Sequence, residues 1–101
     1  MLCEMCKRRV PLTRHHLIPK RTHRSRAVRS KYSKAELSDS IAYLCKACHR
    51  HVHRTCEERK LAVEFYSVEL LLTHPEIKDF VDWLKDKPDD FIPRLSRRKR
   101  T

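Results

Sequence analysis

A chain of 101 residues with a formal net charge of +11, a pI near 9.9 and a mean hydropathy of −0.72 reads as one small basic domain. No stretch approaches the roughly 18 apolar residues of a membrane span, and the start Met1-Leu-Cys-Glu4 lacks the charged and apolar regions of a signal peptide. A domain of this size buries only about 60–65% of its unfolded surface and needs a cross-link; in a reducing compartment its five cysteines read as metal ligands before disulfides.

In chain order, residues 3–9 fit a zinc knuckle, in which Cys3 and Cys6 grip a metal from a tight turn. With no glycine anywhere in the chain, such metal-held turns carry structural weight. The β-formers from Val10 to Ile18 predict a short strand stopped by Pro19. From Lys20 to Ser40 the chain is polar and basic, read as a long connection with a helical turn around Lys34 to Leu37. Ile41–Cys45 is a second short strand. From Ala47 onward a helix is expected, because His49, Val52, His53 and Cys56 recur at i, i+3, i+4 and i+7. Lys60 to Tyr66 reads as helical, Ser67 caps a short helix through Leu72, and Thr73-His-Pro-Glu76 has a capping-box pattern with Pro75 in the first turn. Ile77, Phe80, Val81 and Leu84 form a core stripe, with Trp83 beside them, and Lys87-Pro88 ends that helix.

Two groups of residues carry chemistry. Cys3 and Cys6 with Cys45 and Cys48 are two C-x2-C pairs at the ends of a loop of about 40 residues, the spacing of one tetrahedral structural zinc. Buried free thiols or an iron–sulfur cluster are the alternatives, and the pair-and-pair spacing favours zinc. Cys56 has no partner pair and reads as a packed thiol. The histidines suggest a second site. His49 and His53 stand one above the other on a helix and can share a metal, whereas His51 points away. His15 and His16, adjacent on a strand, face different directions, so one can coordinate while the other serves as a base.

At these residues the chain resembles the HNH endonuclease family. TRHHLIPK, Thr13 to Lys20, and LCKACHRHVH, Leu44 to His53, carry the likeness, with the preceding CEMC pair as in members that have a zinc knuckle. The resemblance covers about the first 55 residues, and the Thr-His-Pro-Glu helix start is similar to the C-terminal helices of small standalone bacterial members. It implies an α+β, ββα-metal (His-Me finger) fold, in which two antiparallel strands and a helix clasp one divalent cation against DNA phosphate. By position, His16 matches the general base that activates water, and His15, His49 and His53 match the ligands of the catalytic metal, which could be Mg²⁺, Mn²⁺, Ni²⁺ or Zn²⁺. The family's central Asn, which braces the loop between the strands, is replaced by Ser40; a serine can make one such hydrogen bond, or Asp39 can take over.

The domain reading is then a single unit over 1–92, with a knuckle and core over 1–56 and C-terminal helices over 57–92, followed by a disordered basic tail over 93–101. Charge follows the same division. Residues 1–53 hold 13 Lys and Arg against 3 Asp and Glu, residues 54–92 hold 6 against 10, and 93–101 hold 5 against none. The polyanion-binding surface should therefore surround the histidines. Arg14, Lys20, Arg21, Arg24, Arg26 and Arg29 are expected to contact the phosphates of double-stranded DNA. With about six phosphates neutralised, affinity would fall by ~10³ between 50 and 200 mM salt. The expected activity is DNA nicking or low-specificity cleavage in a bacterial cytoplasm; in a eukaryote, Arg97-Arg-Lys-Arg100 would read as a nuclear signal. A rival from another class is a non-catalytic zinc-ribbon module that binds nucleic acid. It accounts for the thiols and the charge but not for the four histidines.

Overall fold

The protein is described here by a computed structural model over residues 2–93. The basic tail read over 93–101 lies, apart from Pro93, outside the described residues.

Strand β1, Leu12–His16, pairs antiparallel with β2, Ile41–Cys45, in a register that sets Leu12 opposite Cys45, Thr13 opposite Leu44 and His15 opposite Ala42. Period-two alternation turns His15, Ala42 and Leu44 inward, all buried, and leaves Arg14 and its partner Tyr43 exposed. A two-stranded ribbon is marginal alone. Here it is covered by α3, Lys46–Thr55, which follows β2 without a loop and packs against both strands. The N-terminal turn occupies the other edge of β2: Glu4 N–H donates to the Tyr43 carbonyl at 3.0 Å, and Tyr43 N–H donates to Glu4 Oε2 at 2.6 Å. In that turn Lys7 has φ 65, the left-handed region that costs a side-chain-bearing residue roughly 1–2 kcal/mol and that glycine usually fills. A chain without glycine must meet that cost with other contacts, and here Lys7 N–H donates to the Cys3 carbonyl at 3.0 Å and Cys3 N–H to the Arg8 carbonyl at 3.1 Å.

The connection from Lys20 to Ser40 bears out the helical turn expected around Lys34 to Leu37 and corrects the rest of the expected loop. It holds a 3-10 helix, Lys20–Arg24, and two helices, α1 at Arg26–Lys31 and α2 at Lys34–Asp39. Both are started by serine. Ser25 Oγ accepts from Val28 N–H, and Ser33 forms a reciprocal capping box with Glu36, at 3.1 Å and 2.8 Å. Each helix buries one apolar residue, Val28 and Leu37, in a small cluster with Ile18 and Ala62, closed over by Tyr32 and Tyr66. Tyr32 also donates its hydroxyl to the Ala62 carbonyl at 2.8 Å.

Three further helices follow among the described residues: α4, Glu58–Val63, α5, Val68–Leu71, and α6, Pro75–Leu84. The first lies two residues earlier than its expected start. Ser67 caps α5 as expected, accepting from Leu70 N–H at 3.1 Å. At α6 the cap is His74 rather than Thr73: His74 Nδ1 accepts from Glu76 N–H, while the Thr73 hydroxyl donates back to the Leu70 carbonyl at 2.6 Å and closes α5. Pro75 occupies the first helical turn, where its missing N–H costs nothing. Ile77, Val81 and Leu84 are buried against α3 and the rest of one core that also contains Met5, Val52, Leu61, Leu71 and the metal-type cysteines. Phe80, expected in that stripe, is half-buried and stacks on His51 with ring centroids 4.1 Å apart. Over the described residues the architecture is thus a small α+β unit with a two-stranded sheet and six α-helices. Among the described residues no helix is long and apolar enough to cross a membrane.

Candidate metal centres

The thiols of Cys3, Cys6, Cys45 and Cys48 meet where the N-terminal turn reaches the junction of β2 and α3. All four residues are at most 3% exposed, and their Sγ atoms lie within 4.8 Å of one another. Cys6 and Cys45 are 3.8 Å apart, sulfur to sulfur, too far for a disulfide, and all five cysteines are free. A tetrahedron with Zn–S bonds of about 2.3 Å has edges of about 3.8 Å. Backbone donors favour thiolate here: Cys45 N–H reaches Cys3 Sγ at 3.3 Å, and Cys48 N–H reaches Cys45 Sγ at 3.4 Å. Hydrogen bonding from Cys45, Cys48 and Cys6 holds the Cys3 thiol far below its ordinary value. The set is soft, closed and dry, and could hold a structural metal such as zinc. Cys56 stands apart as a buried thiol whose pKa burial pushes up, in keeping with a packing role.

The second centre lies across the sheet–helix interface. His15 of β1 meets His49 and His53, one turn apart on α3, with one ligand atom from each ring within a common 4.8 Å. Ring centroids are 5.0, 5.2 and 5.1 Å apart. His15 is 0% exposed, and among the described residues neither of its ring nitrogens has a hydrogen-bond partner. Leaving such a group unsatisfied costs about 1–3 kcal/mol, and a cation facing the three rings would engage one of these nitrogens. Burial, then the neighbouring His49, His53 and His16, lowers the His15 pKa from 6.5 to about 3. Burial, followed by His53 and His16, also lowers that of His49. Both rings are therefore neutral at pH 7, the form that offers a lone pair to a metal. His51 is turned to the other side of α3, as its spacing predicts.

Exposure grades outward from buried His15 through half-buried His49 to exposed His53. The two helix rings lie in an open depression also lined by Arg14, His16, Pro19, Lys20, Arg21 and Glu58. His16, at the end of β1, is half-buried on this rim, and its pKa is lowered by burial first and then by Lys20, Arg14 and His23. Glu58 answers Arg21 across the rim, Oε1 to Nη1 at 3.6 Å.

The six basic residues expected at phosphate divide in space. Arg14, Lys20 and Arg21 line the histidine depression. Arg24 ends the 3-10 helix and Arg26 begins α1, both exposed, while Arg29 lines a separate hollow with His23 and Lys34. At the position of the missing Asn, Ser40 donates its hydroxyl to the Glu36 carbonyl at 2.6 Å, inside the last turn of α2, and its own carbonyl accepts from Leu17 N–H at 2.9 Å. Asp39 accepts only from its neighbour Ser38 at 3.2 Å among the described residues, so the brace to β1 comes from the Ser40 main chain.

Two residues enter the site without having been singled out. Thr13 Oγ1 lies 2.7 Å from His49 Nδ1 and 2.8 Å from the Leu44 carbonyl oxygen. Its place two residues before His15, on the same face of a strand, was the available signal. Glu58, from α4, carried no comparable mark.

No protein-family profile matches the chain, and no solved structure does. Over 97 residues it is 31% identical to "Uncharacterized protein YisB" of Bacillus subtilis (strain 168), an alignment covering 95% of this chain and 85% of that protein.

Proposed function

We propose that this chain, which belongs to the family of Bacillus subtilis YisB, is a metal-dependent endonuclease of the HNH, ββα-metal type that hydrolyses DNA phosphodiester bonds. His15, His49 and His53 hold the catalytic cation, and His16 activates water. The observation that carries this reading is the convergence of three imidazoles, one of them buried with both nitrogens unpartnered, beneath an open basic rim on which a fourth imidazole stands. Three imidazole donors leave coordination positions for substrate or water, the mark of a catalytic rather than a structural centre. Two antiparallel strands leading into a helix, with the donors divided between β1 and α3, are also the elements such a core requires.

Bound there, a divalent cation supplies a Lewis acid for the scissile phosphate and the leaving oxygen. The donor set favours a transition metal, since Mg²⁺ prefers more oxygen. The chain's own residues do the rest. Arg14, Lys20 and Arg21 receive the phosphates and fix their distance from the histidines. His16 is neutral at pH 7 and can take a proton from water. Lys20 and Arg14 contribute to its lowered pKa, so phosphates that neutralise them raise its basicity when substrate is seated.

A plasmid-nicking assay with Mg²⁺, Mn²⁺, Ni²⁺ or Zn²⁺ tests the assignment. The protein should convert supercoiled to open-circular DNA, and His16→Ala should be slower by ~10²–10⁴. Equal rates would remove His16 from its role. No nicking by either protein with any of these metals would favour the non-catalytic zinc-ribbon module.

A further inference from the structure

We propose that Thr13 is a positioning residue that fixes the tautomer of His49 and connects the histidine centre to the thiol centre. This rests on the reading that His15, His49 and His53 hold a cation.

Thr13 stands opposite Leu44 in the strand pairing, and its hydroxyl oxygen is 2.8 Å from the Leu44 carbonyl oxygen and 2.7 Å from His49 Nδ1. A hydroxyl has one proton to give, and a carbonyl can only accept. The Thr13 proton therefore goes to Leu44, and the Thr13 oxygen must accept from His49. The hydrogen of the neutral His49 ring is thus held on Nδ1, leaving the Nε2 lone pair as ligand. A partner on the remote ring nitrogen is the usual way a metal-binding histidine is oriented.

The hydrogen bonding continues beyond Leu44. The Leu44–Cys45 peptide, which accepts at its oxygen from Thr13, donates through its nitrogen to Cys3 Sγ at 3.3 Å. Every bond from His49 through Thr13 and this one peptide to Cys3 points in the same direction, so each polarises the next. Cys3 Sγ is the terminal acceptor. The pull along this chain draws the His49 ring hydrogen toward Thr13 and makes the opposite nitrogen a better donor.

The test uses the full chain carrying one equivalent of Zn²⁺ for the thiol centre. Long-range proton–nitrogen NMR of the imidazoles should find His49 protonated at Nδ1 in the wild type and in Thr13→Ser, and a mixture or the Nε2-protonated form in Thr13→Val, which keeps the shape and loses the hydroxyl. Titration of a second equivalent of Zn²⁺ should be about 10–100-fold weaker in Thr13→Val and close to wild type in Thr13→Ser. Wild-type His49 protonated at Nε2, or a Thr13→Val protein with unchanged tautomer and affinity, would overturn the proposal. A wild type that takes up no second equivalent would instead sink the cation reading, while the NMR result still decides whether Thr13 sets the tautomer. Should Thr13→Val fail to fold, the wild-type and Thr13→Ser spectra remain decisive.

Discussion

The two centres are built on the same junction from opposite materials. Four sulfur atoms lie wholly inside the core, one of them at the hinge where β2 becomes α3. Three imidazoles run from the core to the surface, and their outermost member is exposed. The first has no face turned to solvent, while the second opens into a basic depression. A closed donor set returns its binding energy as folding energy, whereas an open one keeps positions free for exchange. On the proposed reading, stability and chemistry fall to neighbouring but separate groups.

The largest effect should come from the closed side. Cys45→Ser removes a thiolate while its hydroxyl can still cap α3, and a structural zinc of this type is worth roughly 10–16 kcal/mol in apparent binding free energy at pH 7, as much as the whole stability of a small domain. Metal content and circular dichroism should show loss of the bound ion and of the cooperative thermal transition. A variant that melts like the wild type would deny the thiols their structural part.

The open side should respond differently. His53→Ala, at an exposed position, should keep the first metal equivalent and lose tight binding of the second, with a change in Tm no larger than about 4 °C. If it unfolds as Cys45→Ser does, the division of labour between the centres is wrong.

A smaller effect separates them by pH. In protein with zinc in the thiol centre and the histidine centre stripped, His15 binds a proton only near pH 3, whereas in the unfolded chain it does so near 6.5. The unfolded state therefore holds more protons between these values. The advantage of a neutral buried His15 is full above pH 6.5 and is lost as pH falls toward 3, with a slope of at most about 1.4 kcal/mol per pH unit. Urea unfolding from pH 7 to 5 should be steeper in pH for the wild type than for His15→Gln. Parallel curves would show that His15 does not titrate with unfolding.

The grouping of the thiols and of the helix histidines was legible in the sequence, because ligand chemistry is written in residue type and spacing. The paired cysteines, the i, i+4 histidines of α3 and the five residues of β2 all fall where their patterns put them. Between Lys20 and Ser40, apart from the turn expected around Lys34 to Leu37, the helices were not legible by the same means. Each six-residue helix buries a single apolar side chain, so neither contains a full hydrophobic period. Their signal was in the caps, above all the Ser33–Glu36 box, and a basic composition obscured it. Thr13 escaped for a different reason. Its part depends on which residue lies across from it, and pairing is a property of two distant segments.

That pairing also bears on the adjacent histidines. In a strand, a slip of one residue turns every side chain to the opposite face. His15, buried among rings, and His16, on the rim, differ by parity alone. Leu12 stands opposite Cys45, and Cys45 is held among the sulfurs together with the turn that leads into β1. The sulfur cluster is thus the pin that sets the count, and by setting it decides which of two identical imidazoles enters the core and which looks out.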